Sequence, residues 1–166
     1  MILALAFAGV FVPMLLEARL SARHERTLRG AGAVEPRGDV YRAMQIWYPA
    51  SFLAMLLEGM LRAVTLDALM IGGAAVFVVA KVLKYWAIAT LGDRWVFRVL
   101  VPPGSIRIVA GPYRWMRHPN YVAVAGELLG VALAMHARYS GPVVTTAFIG
   151  LMLRRVAIEE RALSSS

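Results

Sequence analysis

Long apolar runs alternate with short polar segments along nearly the whole chain. Three of these runs cover residues 1–16, 43–61 and 66–91, and a fourth covers residues 121–153. A helix of about 20 residues crosses the roughly 30 Å hydrocarbon core of a bilayer, so each of the first three runs predicts one span. The fourth run is too long for a single span, and the Arg-Tyr-Ser-Gly-Pro sequence at 138–142 favours a turn within it. The pattern therefore predicts an all-α integral membrane protein with about five transmembrane helices, the last two forming a helix-turn-helix hairpin.

The first run has no charged residue, and Pro13 is compatible with a tolerated kink in a membrane helix. Beyond it, four arginines recur at helical spacing, namely Arg19, Arg23, Arg26 and Arg29. We expect the helix to continue out of the bilayer and to end in the Gly- and Pro-containing stretch 30–38. A cleaved signal peptide is the competing interpretation, but the run lacks the basic segment that precedes the apolar part of such peptides.

The composition agrees with a membrane protein. Hydrophobic residues make up 60% of the 166 residues, compared with roughly 45–50% in ordinary soluble chains. The absence of cysteine excludes disulfides, thiolate nucleophiles and cysteine-ligated metal centres. The three histidines, His24, His118 and His136, are far apart in the sequence, so we predict no metal site.

The charge distribution predicts how the chain is oriented. The formal net charge is +8, and 16 of the 18 basic residues are arginine. Such a charge is typical of nucleic-acid-binding proteins or of membrane proteins with basic cytoplasmic segments. Five spans place 16 basic residues on one side and only Arg62 and Arg138 on the other. We therefore predict that the N-terminus is outside, that the C-terminus is cytoplasmic, and that no nucleic acid binds, because three separate juxtamembrane segments share the charge.

A single domain is predicted to occupy the whole chain, residues 1–166. Its parts are three N-terminal spans (1–91), a cytoplasmic cofactor-binding connector (92–120) and the helical hairpin with an acidic tail motif (121–163).

Two local features refine these parts. Lys81 and Lys84 lie toward the end of the third span, and we expect their long side chains to reach the membrane interface. In the connector, Pro103 and Gly104 fit the centre of a type II turn, which predicts a short hairpin or extended flap there.

The densest group of polar and aromatic residues lies at 111–121, directly before the fourth span. Pro119 is suited to the first turn of a helix, where its missing N–H costs nothing. Arg117 and His118 then lie at the positive end of the helix dipole, which favours an anionic ligand. The alternative is an interfacial turn whose aromatic residues form a belt. For the group as a whole we favour a binding site.

Glu159 and Glu160 follow the last predicted span, where acidic side chains oppose the helix dipole and need a partner. That partner is either a nearby arginine or a ligand that donates hydrogen bonds. The arginines within reach along the sequence are Arg154, Arg155 and Arg161.

Three carboxyl groups lie inside or near the spans, namely Glu58, Asp67 and Glu127. Ionisable residues inside a membrane are candidates for function by default. Glu127 is the strongest of the three, because the other two lie close to a predicted turn. It also lies between Gly126 and Gly130, a Gly-x-x-x-Gly spacing that lets another helix approach closely, so helix packing is the alternative.

Three motifs in the second half of the chain carry a family resemblance. They are Gly111-Pro112-Tyr113-Arg114, Arg117-His118-Pro119-x-Tyr121 and Glu159-Glu160-x-x-Leu163. Over roughly residues 84–163 they resemble the isoprenylcysteine carboxyl methyltransferase family, and more loosely the membrane phospholipid N-methyltransferases. Tyr85-Trp86-Ala87, Leu91-Gly92 and Pro103-Gly104 extend the resemblance to short bacterial members associated with type III polyketide synthases, which O-methylate long-chain alkylpyrones.

The resemblance implies a membrane enzyme that uses S-adenosylmethionine and takes a lipophilic or prenylated substrate from the bilayer. Arg117 is the predicted contact for the anionic oxygen of the substrate, and Glu127 is the second candidate catalytic residue. Ser105 and Ala123 differ from the residues that many members have there, which disfavours prenylcysteine as the substrate. Carried over by the resemblance, the cofactor-binding residues are Gly111, Tyr113, His118, Pro119, Tyr121, Glu159 and Glu160.

Methyl transfer from a sulfonium is an in-line displacement, which needs an oxygen nucleophile about 3–3.5 Å from the methyl carbon. A carboxylate or enol ionises readily, so Arg117 has only to orient the anion and no metal is required. Two rival functions remain open from the sequence. One is N-methylation of a phospholipid amine, and the other is a non-enzymatic channel, carrier or scaffold that uses Glu58, Asp67 and Glu127.

Overall fold

The computed structural model describes residues 1–35, 38, 40–100 and 108–164. Helices dominate this part of the chain, and none of the described residues forms a strand. Two short 3-10 turns, Gly92–Arg94 and Gly111–Arg114, lie between the third and fourth helices. The α-helices in chain order are α1 (Ile2–Gly30), α2 (Tyr41–Leu61), α3 (Ala68–Leu91), α4 (Pro119–Ala134) and α5 (Ser140–Ser164). The all-α prediction is confirmed, and the last apolar stretch divides into two helices as expected.

Three segments are long and apolar enough to cross a membrane, which supports a multi-pass membrane protein. They are Ile2–Gly30, Ala68–Arg94 and Ser140–Ile158. Helix α4 is apolar but shorter than these segments. Length and composition thus support three of the five predicted spans. Large apolar side chains on the outer faces, such as Leu5, Val79 and Val82, are exposed as in a lipid-facing surface.

Helix α1 continues without a break through Pro13 and the arginine-rich segment that follows the apolar run. The predicted extension of the first helix beyond the apolar run is therefore confirmed. Arg29 pairs with Glu25 one turn earlier and with Glu35 in the link to α2.

Glycines allow α3 and α4 to pack with their backbones in close contact. A Cβ atom added at Gly73 would lie 2.3 Å from the Ala134 backbone nitrogen. One added at Gly130 would lie 2.6 Å from the Phe77 nitrogen, and one at Gly126 would lie 2.9 Å from the Ala80 Cβ. The close helix approach predicted from the Gly-x-x-x-Gly spacing is therefore present.

Large apolar side chains fill the space between α2, α4 and α5. The most deeply buried are Phe52, Met55, Leu128 and Phe148. Tyr48 joins this core through ring contacts with Phe52 and Phe148, at centroid distances of 4.9 and 5.2 Å. Burial of apolar surface is non-directional, and specific polar contacts at both ends of the bundle add to this packing.

Polar contacts at one end of the helix bundle join α2 to α5 and α3 to the turn after α4. The Glu58 carboxylate accepts hydrogen bonds from the Tyr139 backbone nitrogen at 3.1 Å and from the Ser140 backbone nitrogen at 2.7 Å. Asp67 caps α3 through the Met70 nitrogen and contacts His136 Nε2 at 3.1 Å. Both carboxylates thus have structural partners at helix ends.

The other end, which we call the connector end, is where α1, α3 and α5 finish and where α2 and α4 begin. The Phe97 backbone nitrogen donates a hydrogen bond to Ser21 Oγ at 2.7 Å. Arg98 pairs with Glu25 and Glu35 and lies over the Tyr41 ring, 4.3 Å from its centroid. The segment after α3 is therefore fastened to α1 and to the start of α2. The predicted hairpin centred on residues 103–104 lies outside the described residues.

Candidate active site

The first turn of α4 and the last turns of α5 meet at the connector end. Pro119 is the first residue of α4, as predicted, and His118 is its N-cap. The His118 Nε2 atom lies 3.2 Å from Glu160 Oε1, and an Arg117 guanidinium nitrogen lies 3.6 Å from the same oxygen. The structure thus brings together two motifs that are 42 residues apart in the sequence.

Electrostatics at this contact favour the ionised carboxylate. The hydrogen bond with His118, helped by the charge of Arg117, lowers the pKa of Glu160 below its usual range. Arg117 remains largely open to solvent, with 73% of its side chain exposed. The His118 ring also contacts the Tyr121 ring at a centroid distance of 5.5 Å. A carboxylate, an imidazole, a guanidinium and a phenol therefore share one site.

The Gly-Pro-Tyr-Arg motif forms the 3-10 turn that packs on the end of α3. Gly111 has a φ of +52°, and a Cβ there would lie 2.3 Å from Thr90 Oγ1. Only glycine combines this left-handed conformation with such a close approach. Tyr113 is half-buried, whereas the Pro119 side chain is fully buried and shapes the start of α4.

Two predicted site residues, Glu159 and Glu127, are not part of the described contact at the start of α4. The side chain of Glu159 lies outside the described part of the chain. Glu127 is completely buried, seven residues after Asn120, which places it about 10 Å further along the α4 axis.

Glu127 belongs to a closed ring of alternating charges, formed with Glu17, Lys81 and Lys84, that we call the charge square. The Lys81 and Lys84 ammonium groups each lie 2.7 Å from a Glu17 oxygen. They lie 3.2 and 3.3 Å from Glu127 Oε1. The Tyr48 hydroxyl donates a further hydrogen bond to the other Glu127 oxygen. Four helices therefore contribute to one buried, charge-balanced polar cluster.

The expectation that Lys81 and Lys84 reach the interface is wrong. Their exposed fractions are only 9% and 1%. The carboxylates of Glu17 and Glu127 draw both ammonium groups inward, because ionic pairing offsets the cost of removing the charges from water. These two lysines are therefore not juxtamembrane charges of the kind on which the predicted orientation rests.

Sequence reasoning also missed Arg155. This residue is 5% exposed, and its Nε donates a hydrogen bond to the Tyr121 hydroxyl at 2.9 Å. Another guanidinium nitrogen donates to the Phe97 carbonyl. Its spacing could have indicated burial, because Arg155 lies seven residues after Phe148 and therefore on the same buried face of α5.

Within the described part of the chain, no three His, Asp or Glu side chains converge in a way that could hold a metal ion.

Comparison with known proteins identifies the family. The model of the isoprenylcysteine carboxyl methyltransferase (ICMT) family matches residues 73–165. This chain belongs to the ICMT family. It is 30% identical over 160 residues to the uncharacterized protein YpbQ of Bacillus subtilis, covering 96% of this chain and 95% of that protein. It is 23% identical over 161 residues to an uncharacterized protein of Haemophilus influenzae, covering 96% and 94%. No solved structure matches it.

The ICMT family is a family of membrane methyltransferases whose members generally use S-adenosylmethionine. The matched region includes all seven residues predicted to bind the cofactor, together with Arg117 and Glu127. It also includes both lysines of the charge square, whereas Glu17 and Tyr48 lie before it.

Proposed function

We propose that this ICMT-family protein is an S-adenosylmethionine-dependent O-methyltransferase of a lipophilic substrate. The observation that carries the proposal is the contact between His118 and Glu160, since it unites two of the three family motifs in one site. Such a site joins the positive end of a helix to a carboxylate and to aromatic rings.

The chemistry of the residues present fits the methyl donor. S-adenosylmethionine carries a carboxylate, an amine, ribose hydroxyls and an aromatic base. The start of α4 offers positive charge for the donor carboxylate. Glu160 can accept hydrogen bonds from hydroxyl or amine groups, and the adjacent His118 and Tyr121 rings offer an aromatic surface. When bound, the donor supplies the electrophilic methyl group, and the protein contributes orientation and electrostatics.

The acceptor is a carboxylate or enolic hydroxyl on a hydrocarbon chain, such as an alkylpyrone. Arg117, which is exposed beside the site, orients the anionic oxygen toward the donor methyl group. It must favour the transition state over the bound anion, and its partial neutralisation by Glu160 limits how tightly it holds that anion.

Glu127 supports this site from inside the bundle. Its complete burial and its place in the charge square keep it from direct contact with a ligand in this conformation. We propose that it acts as a positioning residue, by holding the α4 helix that carries His118 and Tyr121. The connector end faces the cytoplasm, where the donor is available, and the N-terminus lies outside, an orientation that the uneven distribution of basic residues along the sequence supports.

Calorimetric titration of the detergent-purified protein with S-adenosylmethionine, and with its demethylated product, tests the proposal. We expect saturable binding of both by the wild type, and a large loss for Arg117→Ala or His118→Ala in methylation assays. Folded wild-type protein that binds neither compound would contradict the proposal.

Membranes incubated with isotopically labelled donor identify the acceptor. We expect a labelled lipid-soluble product that releases its label in base if it is an ester and retains it if it is an ether. A phospholipid amine would instead give a base-stable product whose formation rises steeply with pH, because the amine must lose a proton to react. A transport function predicts that Glu127→Gln abolishes ion flux while donor binding is unchanged.

A further inference from the structure

Arg155 is a buried cation at the connector end, on the face of α5 that packs against α4 and the segment after α3. Its contacts include the Tyr121 hydroxyl of α4 at 2.9 Å, the Phe97 carbonyl after α3, and the Met44 sulfur of α2 at 3.9 Å. A membrane-boundary arginine that served only topology would keep its charged group in water. The 5% exposure of Arg155 excludes that simple role.

The contacts of Arg155 and Glu160 form a closed circuit between α5 and α4. Arg155 holds the Tyr121 hydroxyl, the Tyr121 ring contacts the His118 ring, and His118 contacts Glu160. Arg155 and Glu160 are both on α5, five residues apart. The first turn of α4 is therefore attached to α5 at two points, and three of the four residues in the circuit are ones predicted to bind the methyl donor.

The side-chain chemistry suits a positioning role. A guanidinium has five donors in a rigid planar group, so it can bond a phenol and a carbonyl simultaneously from one fixed place. A lysine ammonium at the end of a flexible stem fixes partners less well. Hydrogen bonds that involve a charged donor are also stronger than neutral ones.

We propose that Arg155 is a positioning residue of the methyl-donor site, which it preorganises by fixing Tyr121 and the Phe97 carbonyl relative to α5. The inference rests on the proposed function, because it assigns the residue to the site in which the donor binds. Arg155 acts through Tyr121 and His118 and does not itself contact the reacting atoms.

The adjacent Arg154 provides a matched control. It has the same charge and lies on the same helix, but it is exposed. We compare Arg155→Met and Arg155→Lys with Arg154→Met in the detergent-purified full-length protein, using calorimetry with S-adenosylmethionine and its demethylated product. Thermal unfolding is measured for each variant, so that binding is compared only below the melting temperature.

We expect Arg155→Met to weaken donor binding by roughly ten- to a hundredfold, since hydrogen bonds to a charged group are being lost. Arg155→Lys should recover part of this loss, and Arg154→Met should bind like the wild type. In methylation assays the donor KM should rise while kcat changes little, because the defect lies in binding.

A double-mutant cycle with Tyr121→Phe tests the mechanism, because this change removes the hydroxyl that Arg155 bonds. We expect the double variant Tyr121→Phe/Arg155→Lys to bind the donor no more weakly than the worse single variant, which indicates a shared interaction. Independent, fully additive losses would overturn the assignment.

Other outcomes separate the inference from the function on which it rests. If the wild type binds neither donor nor product, the proposed function fails. If the wild type binds and folded Arg155→Lys and Arg155→Met bind equally well, only the inference fails. If Arg155→Met does not fold, Arg155→Lys and Tyr121→Phe still decide the question. A lower melting temperature with unchanged donor affinity would assign Arg155 a purely structural role.

Discussion

Glu17 and Glu127 bind the same two lysines, so removing one carboxylate leaves positive charge buried without compensation. Breaking a buried ion pair by removing one partner typically costs about 3–5 kcal/mol. We expect Glu127→Gln to lower the free energy of unfolding by an amount of this order. Reversible unfolding of the detergent-solubilised protein, followed by circular dichroism, measures it.

The double variant Glu127→Met/Lys84→Met is the control for this prediction. It removes one charge of each sign, and apolar side chains of similar size often replace a buried pair without net loss. We expect the double variant to be more stable than Glu127→Gln. A single variant that unfolds like the wild type would show that Glu17 alone neutralises both lysines.

The contact of Glu160 with His118 predicts that the stability of the fold depends on pH in the acidic range. Because the pKa of Glu160 is lower in the folded protein than its ordinary value of 4.5, the contact stabilises the fold above that pH. The stabilisation is lost as the pH falls from about 4.5 through the folded-state pKa. We expect the melting temperatures of the wild type and Glu160→Gln to differ at neutral pH and to converge below this range. A constant difference across the range would contradict the assignment.

At the scale of elements, the packing of α3 on α4 depends on glycines whose neighbours are backbone atoms. Gly73→Ala places a methyl group against the Ala134 backbone, which cannot move as a side chain can. Overpacking of this kind costs about 1–3 kcal/mol. Gly72→Ala, one residue earlier, meets nothing within 4 Å and should be neutral or slightly stabilising. Unfolding free energies of the two variants measure the contrast, and equal values would be inconsistent with the described interface.

The helices themselves were predictable because local patterns determine them. The apolar run at 43–61 matches α2 (Tyr41–Leu61) within two residues, and Pro119 marks the start of α4. The turn predicted at 138–142 differs from the observed turn by only a few residues, because α4 ends at Ala134 and α5 already begins at Ser140. Periodicity and helix-start chemistry act over a few residues and are visible in one sequence.

Partners across the bundle were not predictable in the same way. The carboxylate of Glu17 meets Lys81 across 64 residues of sequence, and no local pattern distinguishes a lysine paired inside a membrane protein from one that reaches the interface. The same reason explains Arg155, for which the sequence indicates a basic residue near a membrane boundary or a local partner of Glu159 and Glu160, but not its contacts with Tyr121 and Phe97. The family resemblance indicates His118 and Glu160 as candidates, but their mutual contact is visible only in the fold.

For the whole molecule, the orientation in the membrane is testable because the native chain has no cysteine. Single cysteines at Ala31 and Thr65, which are exposed at opposite ends, report their side without background. We expect a membrane-impermeant thiol reagent to label Thr65→Cys in intact cells and Ala31→Cys only after permeabilisation. The reverse pattern would place the connector end, and the proposed donor site, outside the cytoplasm.

The charge square has a consequence for how the chain is assembled during synthesis. Synthesis proceeds from the N-terminus, so Lys81 and Lys84 of α3 are made before Glu127 of α4. Glu17 on α1 is by then already made, and both lysines contact it at 2.7 Å in the finished fold. The order of the elements along the chain thus supplies a counter-ion ahead of the charges that need one, and the arrival of α4 completes their neutralisation.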